Sequence, residues 1–191
     1  AALHIALQLV GVKAGDLVIT QALTFIATCS AIRYCNADPV FVDVDPETLG
    51  MSPGSLDEFL SSQCEIRENG CFHKATGKIV RACVPMHTFG HPVKINEIVS
   101  ICEQFNIVLV EDAAEALGSM YNGVRAGKFG IGSTFSFHRT KTITTGEGGM
   151  LLIDNDKLYE RCKFLRDHGR APGTYFNTEV TFKYMPFNLQ A

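Results

Sequence analysis

Tryptophan is missing from the 191 residues altogether, and charged side chains make up only 19% of them. The formal net charge is -3 and no run of Lys and Arg is long enough to follow a phosphate backbone, so nucleic acid is not an expected partner. No apolar run approaches the roughly 20 residues that a bilayer-crossing helix needs. The opening AALHIALQLV also lacks the charged start and cleavage site of a signal peptide. A cytoplasmic protein without a membrane partner is expected. CxxC pairs are lacking as well: the seven cysteines are odd in number and sit mostly inside apolar runs, which points to buried thiols and to no metal site. An initiator Met and a cap on the first helical pattern are both missing, and a new helix seeds at Leu189-Gln190-Ala191, so both ends read as cuts in a longer chain.

What is present is ordinary globular material, 46% hydrophobic, enough for one substantial core. The periodicity predicts an opening helix to about Val12, a strand over 17–20, a helix over 24–34, a strand over 39–44 and a short helix over 55–60 capped by Ser52 or Ser55. Residues 61–78 are polar and irregular and read as a surface excursion. A strand over 79–85, a helix over 95–105 and a strand over 107–110 follow. Short Gly-punctuated strands come next, among them 133–137 and 150–153, and then a helix capped by Asp156. Apolar strands alternating with amphipathic helices predict an α/β fold, a mostly parallel sheet covered on both faces in three layers.

Ligands of such sheets gather outside the carboxyl ends of the strands. Three places in this sequence qualify: Asp112 after 107–110, Ser136 to Lys141 after 133–137, and His87 after 79–85. Lys141 lies in SFHRTKTITTGEGG among small and hydroxylated residues, a setting where a lysine can lose its proton and act as a nucleophile. Asp112 directly follows an apolar run, where a buried carboxylate demands a partner; a protonated ring nitrogen and a helix-capping role on Ala113 to Ala116 are equal readings of it.

The ordered blocks AALHIALQL, GDLVITQALTFIAT, DPVFVDVDPETLG, VPMHTFGHP, VEDAAEALGS, FSFHRTKTITTGEGGM and LRDHGR span essentially the whole chain. Together they resemble the DegT/DnrJ/EryC1/StrS family of sugar-nucleotide aminotransferases. The resemblance implies the aspartate-aminotransferase-like fold. Residues 1–191 would then be the central part of the large pyridoxal 5'-phosphate (PLP) domain, with an N-terminal segment and a C-terminal small domain outside the chain. It further implies that Lys141 holds PLP as a Schiff base and that Asp112 pairs with the pyridinium nitrogen, making the ring an electron sink. By the same resemblance Ser136 meets the cofactor phosphate, Ala1 and Ala2 edge the phosphate turn, and Phe25 covers the ring. Glu115 takes a place often held by a glutamine that meets the 3-hydroxyl. For Phe25 and Ser136, simple core packing and turn capping stay open.

Lys183 stands where relatives carry an asparagine that reaches across a homodimer to the partner's phosphate. His87 and His138 are candidates for substrate contact, with His138 weighted toward support of the site; His91 shares the His87 loop. The implied activity is transfer of an amino group from an amino acid, L-glutamate foremost, to a keto-sugar nucleotide. The alternatives are a PLP-dependent sugar dehydratase of the same family, which replaces the lysine by histidine, and a non-catalytic regulatory or truncated member.

Overall fold

The computed structural model describes residues 1–68 and 70–186. Helix α1 (Ala2–Leu9) leads through a turn at Gly11 and Gly15 into strand β1 (Leu17–Gln21), then α2 (Ile26–Tyr34) and β2 (Asp38–Val42). Helix α3 (Pro53–Gln63) starts where the sequence signals say it should: Pro53 lies in the first turn, and the Ser52 hydroxyl accepts from the Ser55 N–H at 3.2 Å.

Residues 61–78 differ from the expected excursion. They complete α3 and then form a hairpin of β3 (Cys64–Arg67) and β4 (Gly70–His73), and β4 pairs antiparallel with β5 (Ile79–Val84). Cys64 and Cys71 point from this hairpin into the core, which is why a segment polar by composition joins the sheet. Next come α4 (Ile95–Gln104), β6 (Val108–Asp112), the small hairpin β7 (Met120–Tyr121) and β8 (Val124–Arg125), β9 (Gly132–Ser136), β10 (Gly149–Ile153) and α5 (Asp156–Arg166). The cap of α5 is Asn155, whose side chain accepts from the Leu158 N–H at 3.0 Å; Asp156 already lies in the first turn, where its charge suits the helix dipole. The helix expected from Leu189 falls outside the described residues.

The main path of the eight-stranded sheet runs β10-β9-β6-β5-β1-β2 and is parallel except for β10 against β9, with the antiparallel β3–β4 hairpin attached to β5 off this path. Strand alternation divides the core in two. Leu17, Ile19, Cys83 and Leu109 face α3 and α4, packing on Leu56, Leu60, Ile95 and Ile98. Val18, Ala82, Val84 and Val110 face α1 and α2, packing on Leu7, Ala31 and Ile32. The chain is thus an α/β three-layer structure with a mostly parallel sheet, as its alternation predicts. All seven cysteines are free thiols, five of them buried.

Candidate active site

The pleat of β6 decides where its two terminal carboxylates go. Leu109 faces α3 and α4 and Val110 faces α1 and α2. Alternation therefore sends Glu111 to the first side and Asp112 to the second.

Asp112 is 5% exposed. Its Oδ2 accepts from the Thr28 hydroxyl at 2.7 Å, delivered by the first turns of α2, and its Oδ1 accepts from the Ala114 N–H at 3.2 Å. Burial pushes the carboxyl above its ordinary value of 3.8; the Thr28 and Ala114 hydrogen bonds and the positive fields of His87 and Lys141 pull the other way without prevailing. The helix expected over Ala113 to Ala116 does not form: the chain turns there between β6 and β7, and Asp112 Oδ1 caps that turn rather than a helix. Each oxygen keeps lone-pair capacity for one more donor, and a protonated ring nitrogen is such a donor.

Lys141 sits in the turn that follows β9, where its backbone N–H donates to the His138 carbonyl at 2.9 Å. Its Nζ donates to Glu115 Oε1 at 2.7 Å. Glu115 belongs to the loop after Asp112, so the residue in the usual glutamine position engages the lysine directly. Ser136 closes β9, and its hydroxyl accepts from the His138 N–H at 3.2 Å, a turn cap. Phe25 stands at the N-cap of α2, three residues before Thr28, and is 71% exposed; it is not core, and its ring is free to cover a ligand. The residues thus fit a pyridoxal group chemically: a half-buried amine, a buried carboxylate with room for one more donor, a strand-end hydroxyl and an open aromatic ring.

Ala1 and Ala2, at the start of α1, line a cavity of about 520 Å³ together with Phe137, Thr145, Gly148, Gly149 and Tyr184. Gly149 pairs with Ser136 across β9 and β10, which brings Ser136 to the same region. Lys183 forms a backbone bridge with Asp167, and its Nζ reaches the Met185 carbonyl at 3.5 Å.

His87 departs from the expectation of a substrate contact. His87 has 0% exposure: its Nε2 lies 3.1 Å from Glu111 Oε2, and its Nδ1 accepts from the Val93 N–H at 3.3 Å. With both nitrogens engaged beneath the sheet end, His87 is a buried support and not a substrate contact. His138 pairs with the Thr140 hydroxyl at 3.1 Å and approaches Glu147 at 3.4 Å, holding the turn that carries Lys141.

Sequence reasoning missed Glu111, Thr28 and Gln21. Glu111 is fully buried and gathers four donors: His87, Gly127 N–H at 2.8 Å, Phe129 N–H at 2.6 Å and Gly130 N–H at 2.8 Å. Burial alone would raise its carboxyl, but the His87 and backbone bonds outweigh it and hold the group below its ordinary 4.5. Gly130 has to be glycine because a Cβ there would lie 2.7 Å from the Leu109 carbonyl oxygen. The available signal was a second acidic residue after an apolar run.

The model of the DegT/DnrJ/EryC1/StrS aminotransferase family matches residues 1–191. The chain belongs to that family. Among its curated relatives is a GDP-perosamine synthase from Escherichia coli O157:H7, 39% identical over 191 residues that cover 100% of this chain and 48% of the relative. A family aminotransferase from Brucella abortus superposes with a TM-score of 0.85 at 27% identity, covering 95% of this chain and 46% of that one. DesV from S. venezuelae, solved in complex with a ketimine intermediate, gives 0.80 at 28% identity, covering 95% of this chain and 44% of that one. The chain therefore spans about half the length of the relatives it matches. Its three-layer architecture is that of the aspartate-aminotransferase-like fold carried by these structures.

Proposed function

We propose that this chain supplies the central part of the large domain of a PLP-dependent aminotransferase, which moves an amino group from an amino acid, L-glutamate foremost, to a keto-sugar nucleotide. The observation that carries the reading is the convergence of Lys141, Glu115 and Asp112 at the ends of two neighbouring parallel strands. When bound, PLP supplies an electron sink that stabilises negative charge on the carbon losing its proton.

The chain's own residues do the rest. Lys141 Nζ would be the attachment point of the cofactor and the amine that carries a proton between the substrate carbon and the cofactor C4′, the two carbons on either side of the transferred nitrogen. Glu115 Oε1, 2.7 Å away, holds that amine in place. Asp112, raised by burial and steadied by Thr28, accepts the hydrogen bond of the ring N–H and keeps that nitrogen protonated. Phe25 covers the ring, while Ser136 with the N–H groups at Ala1 and Ala2 receives the phosphate. Lys183 reaches the phosphate held by the partner subunit of a homodimer, as a point charge. No helix among the described residues is long and apolar enough to cross a membrane, in keeping with a cytoplasmic enzyme.

The test is borohydride reduction of the full chain mixed with PLP, followed by peptide mass spectrometry. A pyridoxyl group on Lys141 is expected. A protein left unlabelled at Lys141 refutes the assignment. Sugar products formed with and without glutamate then separate amination from the deoxygenation that a dehydratase would give.

A further inference from the structure

Phe89 has no part in the chemistry above, yet the fold holds it in an unfavourable state. Its backbone is left-handed, φ 52 and ψ 25, a conformation that disfavours any side chain with a Cβ, and its ring is 74% exposed. The constraint comes from both sides. Gln21, fully buried, donates from Nε2 to the Met86 carbonyl and to the Thr88 hydroxyl, both at 3.0 Å, and Thr88 in turn donates to the Leu49 carbonyl at 3.0 Å. On the far side the Ser119 hydroxyl donates to the Gly90 carbonyl at 2.7 Å.

This turn stands at the candidate site. The His87 N–H donates to the Asp112 carbonyl at 3.1 Å. Gly90 packs so closely on the backbone of Glu115 that a Cβ on it would lie 2.7 Å from the Glu115 carbonyl oxygen. Gln21 Nε2 also lies 3.1 Å from the Leu23 carbonyl, so its two protons are shared among three acceptors while its Oε1 accepts from the Met86 N–H at 3.0 Å, and one buried amide bridges the loop of Phe25 and the loop of Phe89. The two most exposed phenylalanines of the strand-end loops are thus positioned by a shared strut.

We propose that Phe89 is a specificity-determining residue that touches substrate, its ring a platform for the apolar C–H face of the keto-sugar. The inference rests on the aminotransferase reading. The sugar ring is the part of the acceptor that must come within reach of Lys141, and Gly90, the residue after Phe89, packs on the backbone of Glu115, which holds that lysine.

The experiment compares F89G and F89Y with the parent in the full PLP-loaded chain. It reads the absorbance change on adding L-glutamate, then KM and kcat for the keto-sugar nucleotide, the melting temperature and the oligomeric state. F89G relieves the left-handed strain, so its melting temperature should hold or rise, while KM for the sugar nucleotide rises roughly 10- to 100-fold for a lost buried ring. The glutamate half-reaction should keep its rate, and F89Y should restore the parent KM. An unchanged KM in F89G, an equal slowing of the glutamate half-reaction, or loss of the dimer overturns the proposal. A parent protein silent toward every amino donor overturns the aminotransferase reading and this proposal with it; a failure confined to the sugar measurements refutes Phe89 alone.

Discussion

Replacing Glu111 by Gln tests whether the buried carboxylate under β6 is the strut the structure shows. The two side chains match in size, so the change isolates charge and acceptor capacity. The carboxylate serves four donors, two on each oxygen: Phe129 and Gly130 N–H on Oε1, Gly127 N–H and His87 Nε2 on Oε2. A glutamine oxygen can keep the first pair, but its amide nitrogen then faces the second. Gly127 N–H loses its acceptor outright, and His87 can rescue its own bond only by moving its proton to Nδ1, which now accepts from Val93. Stranding a buried donor costs about 1–3 kcal/mol, and losing the charge on the remaining bonds adds to it, so a total of about 3 kcal/mol is expected. For a chain of this size that lowers the melting temperature by roughly 6–12 °C. The effect carries a pH signature. Glu111 is held below its ordinary 4.5 in the folded state, so its stabilisation is present above that value and is lost as pH falls through the folded value. Thermal or urea denaturation of parent and variant should therefore show a gap at pH 7 that closes on acidification. A gap under about 0.5 kcal/mol at pH 7, the size of an ordinary surface change, or one that stays constant with pH, would refute the reasoning.

Asp112→Asn should leave the fold intact and lower amino transfer by about 10²–10³-fold, the scale of losing one preorganised electrostatic partner, read from single-turnover absorbance. Thr28→Val strips the 2.7 Å donor from Asp112 and is expected to cost about 1–3 kcal/mol in cofactor-free protein. Because the Asp112 carboxyl is raised above 3.8 by burial, the folded state binds the extra proton, and this group's contribution to stability falls as pH rises from 3.8 through the raised value; denaturation midpoints across that window check the sign. Gly130→Ala forces a methyl against the Leu109 carbonyl and should destabilise by about 1–3 kcal/mol in the same assay. Ser52→Ala removes the cap of α3 at about 1 kcal/mol.

The layered α/β architecture was legible because its signals are local: apolar strands, helical spacing and the Ser52-Pro53 start sit within a few residues of one another. The hairpin of β3 and β4 was not, since its place depends on Cys71 pairing with Val80 and on burial of Cys64 against distant helices. The same distance rule governs the site. Lys141 and Asp112 stood out by position, and the ordered blocks gave them roles. Thr28, the partner of Asp112, is 84 positions away, and Glu111, the partner of His87, is 24 away, so neither pairing could be read from spacing. That is why His87 read as a substrate contact when its environment makes it a buried support.

The adjacent carboxylates of β6 share one peptide bond but serve opposite sides of the sheet. Their duties are therefore separable by substitution and inseparable by insertion or deletion. Variation at position 111 can trade stability without altering what position 112 presents to a ligand. A single residue gained or lost within Val108–Asp112 would exchange the two faces at once, turning Glu111 toward Thr28 and α2 and Asp112 toward His87.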